Sequence, residues 1–212
     1  MHFCTKCSLS IAQHNSAVIL NMFKINIKIF ILLFAITQIG YGNAQISGKG
    51  ACPTNIQVMK NFDLKQYLGI WFEQFKFPYF AELGGKCITA NYTLNDNGEV
   101  NVINTQINKY TGIINLISGY ATITDGAKLK VTFPFGRNAT SNYWILDTDY
   151  NTYTVVYSCY EAKPDTHSTT TWILTRERKP AEETILKARN ILESNNIDTA
   201  QLEETDQNDC GN

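Results

Sequence analysis

A succession of eight short strand-like runs limits the fold of this chain more than any other feature. The predicted strands are residues 69–77, 87–94, 99–107, 113–123, 128–133, 143–147, 153–158 and 169–176. Tight-turn signals such as Asn95-Asp96-Asn97-Gly98 and Thr124-Asp125-Gly126 separate several of them, because Asn, Asp and Gly tolerate positive φ. Short turns of this kind join antiparallel neighbours, so the sequence predicts an all-β fold.

Eight antiparallel strands must protect their edges, either by closing into a barrel or by packing as a two-sheet sandwich. An eight-stranded barrel is just wide enough to hold one small ligand. Periodicity alone leaves both architectures open. The run that contains Ile113, Ile114, Leu116 and Ile117 would be apolar on both faces. We therefore expect this strand to be covered on both sides, as happens where a helix packs on a barrel.

One α-helix is predicted after the last strand. Pro180 suits its first turn, Glu182 and Glu183 complement the positive end of its dipole, and Asn195-Asn196 can end it. The residues expected on its apolar face are Ile185, Ala188, Ile191 and Leu192. This face would pack against the outside of the sheet.

Residues 1–44 have the layout of a secretory signal peptide with an extension upstream of it. Lys24 and Lys28 precede an apolar run over residues 29–36, and Gly42-Asn43-Ala44 supplies small residues for a cleavage site. The apolar run is much shorter than the roughly 20 residues of a membrane-spanning helix. The sequence therefore predicts a secreted, extracellular protein with a single domain over residues 45–212.

The cysteines that remain after residue 44 indicate disulfides rather than a metal site. They are Cys52, Cys87, Cys159 and Cys210. In an oxidising compartment four cysteines form two disulfides, for which three pairings are open. His167 is the one histidine beyond residue 44, so neither a metal site nor a Ser/His/Asp triad has support. Sequons at Asn91 and Asn138 fit glycosylation on the secretory route.

The charge of the predicted domain argues against a nucleic-acid binder. The whole chain has a net charge of −1, and its first 44 residues contribute three lysines and no acid. The remaining domain is therefore acidic and has no cluster of Lys and Arg to neutralise phosphates.

Three separated patches resemble the signature regions of the lipocalin family, in the family's order and at its spacing. Gly69-Ile70-Trp71 begins the first strand, Asp147-Thr148-Asp149-Tyr150 follows the sixth, and Arg176 ends the eighth. The resemblance narrows to the apolipoprotein D group, which includes the insect Lazarillo proteins, and covers Cys52 to Cys210. The segments that carry it are residues 61–64, 87–93, 143–146, 157–159, 172–176 and 194–198.

The resemblance implies an eight-stranded antiparallel up-and-down barrel with one C-terminal α-helix packed on its outside. It implies structural roles for the signature residues Gly69, Trp71, Asp147, Asp149, Tyr150 and Arg176. Trp71 would close the bottom of the barrel, and Arg176 would lie across its indole. The aspartates would supply acceptors for backbone amides of the adjoining loop. The disulfides implied by the resemblance are Cys52–Cys159 and Cys87–Cys210.

The resemblance also implies that the barrel binds a ligand. Tyr92 and Trp172 match ligand-facing positions of the group, and Asn104 and Gln106 lie on the strand where the group places polar ligand-facing groups. The alternation of side chains along the strand also places Tyr92 on the inside of the barrel, because a glycan on Asn91 must point outwards. The residues that then point inwards are Ile88, Ala90 and Tyr92.

These residues predict a carrier of a small lipophilic ligand such as a fatty acid, sterol or retinoid, with no enzymatic activity, no cofactor and no metal. A biliverdin-binding pigment protein is the alternative, because insect bilin-binding lipocalins share much of the pattern. A lipid-anchored interaction module is a third interpretation. The end of the chain has no apolar anchor signal, which favours a freely secreted monomer or weak oligomer. Peripheral contact with membranes or lipoproteins, and protection of lipids in oxidative stress, would fit this group.

Overall fold

The computed structural model describes residues 46–134, 139–163 and 165–211. The strands are β1 (Ile46–Lys49), β2 (Gly69–Lys76), β3 (Gly85–Leu94), β4 (Val100–Asn108), β5 (Ile114–Asp125), β6 (Lys128–Phe133), β7 (Ala139–Thr148), β8 (Tyr153–Lys163), β9 (Thr166–Thr175) and β10 (Glu203–Glu204). The helices are α1 (Leu64–Tyr67) and α2 (Glu182–Ser194), with 3₁₀ turns at Phe80–Glu82 and Thr199–Gln201. The predicted signal segment and the sequon at Asn138 lie outside the described residues.

The eight predicted strands are present as β2 to β9 and form a closed barrel. Each strand pairs antiparallel with the next along the chain, and β2 also pairs with β9. Phe72 lies opposite Thr175, and Lys76 lies opposite Trp172. Because β2 and β9 pair with each other, the sheet closes on itself where they meet. The fold is therefore an up-and-down barrel and not a sandwich.

Two short strands that the sequence did not predict extend the sheet outside the barrel. β1 pairs with β9, and β10 pairs with the upper half of β2. The tail after β10 then fills the gap where β2 and β3 diverge. Thr205 N donates to Gln74 O at 2.9 Å, and Cys87 N donates to Asp206 O at 2.8 Å. The C-terminal tail is therefore part of the barrel wall.

Helix α2 packs on the outside of the barrel against β7, β8 and β9. Ala188 and Leu192 are fully buried in this contact, as the helical pattern predicts. The helix begins at Glu182 with Ala181 as its N-cap, so Pro180 precedes the helix and does not occupy its first turn. Among the described residues no helix is long and apolar enough to cross a membrane.

The expectation that a helix covers the apolar strand at residues 113–117 is wrong. Ile114 and Leu116 are 67% and 63% exposed, and Ile113 beside them is 60% exposed. Helix α2 follows β9 after a short connection, so it can reach only the strands near β9. Strand β5 lies four places further around the sheet and keeps an uncovered apolar face.

Both disulfides of the structure tie a chain end to the barrel. Cys52–Cys159 attaches the N-terminal segment to β8, and Cys87–Cys210 attaches the C-terminal tail to β3. These are the two pairs that the family resemblance implies.

Candidate functional site

The barrel is closed at the end where α1 and the β7–β8 turn lie. Trp71 is fully buried there, and its Nε1 donates to Tyr67 O at 2.9 Å. The Arg176 guanidinium carbon lies 3.7 Å from the centre of the Trp71 ring. Stacking of this kind contributes about 0.5–2 kcal/mol.

Arg176 also ties the loops of the closed end together. Its nitrogens donate at 2.8–3.2 Å to the carbonyl oxygens of Gln66, Tyr67, Leu68, Ile70 and Tyr150. Gly69 has φ +98°, and a Cβ there would lie 3.3 Å from a guanidinium nitrogen of Arg176. The Gly-x-Trp motif and the distant arginine therefore form one structural unit.

The β7–β8 turn completes this closed end. Asp149 Oδ1 accepts hydrogen bonds from the backbone amides of Asn151, Thr152 and Tyr153. Asp147 differs from the expectation, because it accepts from the Tyr153 hydroxyl instead of a backbone amide. The Tyr150 hydroxyl accepts from Asp63 N at 2.9 Å and so joins the turn to the start of α1.

Above Trp71 the barrel contains a cavity with an inner and an outer chamber. The inner chamber has a volume of about 70 Å³ and the outer one a volume of about 360 Å³. The residues that line both chambers are Tyr79, Glu82, Ile88, Asn104 and Phe133. The outer chamber is in the size range of ordinary small-molecule sites, whereas the inner one admits only a slender group.

The structure places three of the four predicted ligand-facing residues together in the inner chamber. Tyr92 and Trp172 both line it, and Trp172 packs edge-on against Tyr79 with ring centres 5.7 Å apart. Asn104 lies where the two chambers meet. Gln106 is separate from them and lines only the outer chamber.

A chain of tyrosine hydroxyls crosses the bottom of the inner chamber. The Tyr143 hydroxyl lies 2.7 Å from that of Tyr92 and 3.0 Å from that of Tyr67. Thr154 Oγ1 donates to the Tyr67 hydroxyl at 3.4 Å. Burial raises the pKa of Tyr67 to about 12, and burial also raises the pKa of Tyr92 and Tyr143. In the arrangement where Thr154 donates to Tyr67, Tyr67 to Tyr143 and Tyr143 to Tyr92, the hydroxyl proton of Tyr92 remains available to a ligand.

A buried ionic cluster stands on the wall of the inner chamber. Lys76 Nζ lies 3.2 Å from Glu73 Oε1 and 3.0 Å from Glu82 Oε2. Glu73 is only 2% exposed and accepts a hydrogen bond from Thr205 Oγ1 at 2.5 Å. Burial, reinforced by the Glu82 carboxylate, raises the pKa of Glu73 to about 8.

Sequence reasoning missed the tyrosine chain and the ionic cluster, although strand alternation carries part of each signal. Glu73 is two residues from Trp71 on β2 and shares its inward face. Tyr143 is two residues from the fully buried Ile145 on β7. His167 lies apart from the cavity, with its Nδ1 3.0 Å from Gly50 O beside β1.

Comparison with known proteins identifies the family of this barrel. Residues 68–209 match the lipocalin / cytosolic fatty-acid binding protein family. Apolipoprotein D of Cavia porcellus is 44% identical over 164 residues, which cover 76% of this chain and 85% of that protein. The Lazarillo protein of Schistocerca americana is 35% identical over 159 residues, which cover 70% and 72% of the two chains. Insecticyanin from Manduca sexta superposes with a TM-score of 0.69 at 28% identity, over 76% of this chain and 89% of that one. The chain therefore belongs to the lipocalin family, and within it to the apolipoprotein D-like group.

Proposed function

We propose that this protein carries a small lipophilic molecule in the barrel cavity and catalyses no reaction. The observation that carries the proposal is the cavity itself, which Trp71 closes at one end and whose wall is mostly apolar in area, with polar groups set into it. Burial of apolar ligand surface contributes about 25 cal/mol per Å². A few polar groups then suffice to orient the molecule.

The positions of the polar groups support a ligand that lies along the barrel axis. Tyr92 offers a hydroxyl at the deep end of the inner chamber, and Trp172 offers an aromatic wall. Asn104 Oδ1 and Gln106 Oε1 are buried without a hydrogen-bond partner among the described residues. A ligand that spans both chambers would cover these two oxygens.

Ligand entry is expected to quench tryptophan fluorescence mainly through Trp172. Trp71 is sealed at the closed end, and Trp144 packs with Tyr157 in the core cluster beneath α2. Trp172→Phe should therefore remove most of the quenching in titrations with retinol, a sterol, arachidonate and biliverdin. The melting temperature should change little, because the volume change is modest.

Trp144→Phe is the matched control for this titration and should retain the quenching. Saturable quenching by none of the four compounds would contradict the carrier function. Full quenching in the Trp172→Phe protein would instead remove Trp172 from the site.

A biliverdin carrier is the second candidate, and it rests on the resemblance to insect bilin-binding lipocalins. The chain is 31% identical to Insecticyanin-A of Manduca sexta over 137 residues. Protein purified from its own source would be coloured if a bilin is the natural ligand. Colourless protein that binds biliverdin no more tightly than retinol would exclude this candidate.

Secretion of a single domain over residues 45–212 is also part of the proposal. Disulfides persist in oxidising compartments, and this barrel has two of them. The sequons at Asn91 and Asn138 and the signal-like layout of residues 1–44 agree with this route. Mass spectrometry of the secreted protein tests both points, since an intact residue 1–44 segment or an unmodified Asn91 would contradict them.

The mouth of the barrel carries apolar side chains that support peripheral contact with a lipid surface. Leu83 and Tyr110 are each 79% exposed, and Phe80 is 71% exposed. The two loops that carry them are joined, because Lys109 N donates to Gly84 O at 2.9 Å. Ile114 continues this exposed surface at the start of β5. A lipophilic ligand could pass from a membrane or lipoprotein into the cavity at this end.

Leu83→Ser combined with Ile114→Ser should weaken binding to phosphatidylcholine vesicles by about tenfold or more. Each leucine or isoleucine contributes roughly 1.5–3 kcal/mol when it is fully transferred from water. Flotation of the protein with vesicles measures the effect. Leu186→Ser is the control, because Leu186 is 54% exposed on α2, away from the mouth. Equal flotation of the double variant and the unaltered protein would contradict the proposed contact.

A further inference from the structure

Glu73 turns one carboxyl oxygen to the barrel wall and leaves the other to the cavity. Its side chain lines the inner chamber and is 2% exposed. Lys76 Nζ lies 3.2 Å from Oε1, and Thr205 Oγ1 donates to the same oxygen at 2.5 Å. Neither of these contacts involves Oε2. The second oxygen of this buried carboxyl group is therefore left to a molecule in the inner chamber.

The contacts at Oε1 also determine which oxygen of Glu73 carries a proton. An oxygen that accepts from two donors acts as the carbonyl oxygen of a neutral acid, so the proton lies on Oε2. Burial, and after it the neighbouring Glu82 carboxylate, raise the pKa of Glu73 to about 8. Most copies of the protein therefore present an O–H donor to the chamber at neutral pH.

The groups around Glu73 keep their charges while Glu73 titrates. Lys76 Nζ lies 3.0 Å from Glu82 Oε2, so this ammonium group and this carboxylate balance each other. Burial opposes the charge of Lys76, but the two glutamates outweigh burial and raise its pKa. The tail contacts Glu73 through Thr205 and Gln207, which carry no charge. Burial also raises the pKa of each tyrosine on the wall of this chamber, namely Tyr79, Tyr92 and Tyr143.

We propose that Glu73, as a neutral carboxylic acid, holds the polar end of the ligand by donating from Oε2 to a hydrogen-bond acceptor, and that a carboxylate gives the strongest contact. This inference rests on the proposed carrier function and adds the group that anchors its ligand. An O–H donor that faces a carboxylate forms a short hydrogen bond, about twice as strong as one between neutral groups. Ionised Glu73 would instead place a second negative charge beside the carboxylate.

The affinities of dodecanoate and dodecanol at increasing pH test the proposal, because the two ligands differ in their polar ends. The affinity for dodecanoate should be full below the pKa of Glu73 and fall at least about tenfold between about pH 7 and about pH 9.5. The affinity for dodecanol should stay nearly constant, since a hydroxyl can accept from the acid and donate to the carboxylate. A dodecanoate affinity that does not fall would overturn the inference and leave the carrier function standing. Saturable binding of neither ligand would overturn both.

Proton uptake gives a second and more direct measurement. At about pH 8 roughly half of Glu73 is ionised, so each dodecanoate that binds should take up about half a proton. Calorimetry in two buffers of different ionisation enthalpy measures this number. Dodecanol should take up almost none. Dodecanoate binding without proton uptake would contradict the anchoring role of Glu73.

Glu73→Gln tests the assignment to this residue. The amide keeps the shape of the neutral acid but cannot ionise, so the fall in affinity and the proton uptake should both disappear. Glu82→Gln should move the fall to lower pH, because the Glu82 carboxylate helps to raise the pKa of Glu73. This second variant tests the assignment even if Glu73→Gln does not fold.

Glu99→Gln is the matched control, because it removes a carboxylate from the connection between β3 and β4. It should leave the pH dependence of dodecanoate binding unaltered. A folded Glu73→Gln protein that keeps the fall in affinity would overturn the assignment, and so would a Glu82→Gln protein in which the fall occurs at an unshifted pH.

Discussion

Arg176→Met should lower the free energy of unfolding by about 3–5 kcal/mol, with a fall in Tm of roughly 10 °C. The guanidinium donates to five carbonyl oxygens, four in residues 66–70 and one at Tyr150, and stacks on Trp71. Hydrogen bonds from a charged donor contribute about 1.5–3 kcal/mol each, and water can replace only those near the surface. Calorimetry and urea unfolding measure the loss. Trp71→Ala should cost a similar amount, because large core truncations cost about 3–5 kcal/mol.

Arg189→Met provides the matched control for this prediction. The Arg189 guanidinium also lies over an aromatic ring, 4.5 Å from the centre of Phe75. Its loss should cost no more than about 1–2 kcal/mol, because stacking is the interaction that it shares with Arg176. Equal losses in the two variants would show that the carbonyl contacts of Arg176 contribute little. An Arg176→Met protein of normal Tm that had lost ligand binding would place Arg176 in the binding site.

The barrel strands could be predicted because their signals are local. Turn residues such as those at 95–98 and alternating apolar residues act over a few positions, and all eight runs appear as β2 to β9. Closure is different, since it depends on pairing between β2 and β9, about 100 residues apart in the chain. The alternation of apolar and polar residues within a strand carries no information about the pairing of β2 with β9. At the level of sequence, only the family resemblance distinguishes the barrel from a sandwich.

The ionic cluster shows why part of the site could not be predicted. If side chains alternate regularly along β2 after the inward-facing Trp71, Glu73 faces the inside of the barrel and Lys76 faces the outside. The structure has a register shift between Glu73 and Phe75, which exchanges the faces of the residues that follow. Phe75 therefore packs beneath α2, and Lys76 lies between Glu73 and Glu82. The sequence around residue 74 has no glycine or other bulge signal.

Removal of the Cys87–Cys210 disulfide by Cys87→Ser with Cys210→Ser should lower the free energy of unfolding by about 2–5 kcal/mol. The bond joins residues 123 positions apart, so its loss restores much conformational freedom to the unfolded chain. It should also loosen the tail that fills the gap between β2 and β3. Gln207 Nε2 donates there to Glu73 O and Ile88 O at 2.7 and 2.9 Å. Both acceptors belong to residues that line the inner chamber.

The control variant, Cys52→Ser with Cys159→Ser, separates the loss of stability from the loosening of the tail beside the inner chamber. That disulfide spans 107 positions, so the entropic loss of stability should be nearly the same. It attaches the N-terminal segment to β8, away from Glu73 and the tail. Ligand affinity, measured by fluorescence well below either Tm, should therefore fall in the Cys87/Cys210 variant and stay unchanged in the Cys52/Cys159 variant. Faster hydrogen exchange at the backbone amides of positions 87 and 205 should accompany the fall, since in the unaltered protein both amides donate across this seam. Equal affinities in the two variants would mean that the tail stabilises the barrel without shaping the chamber.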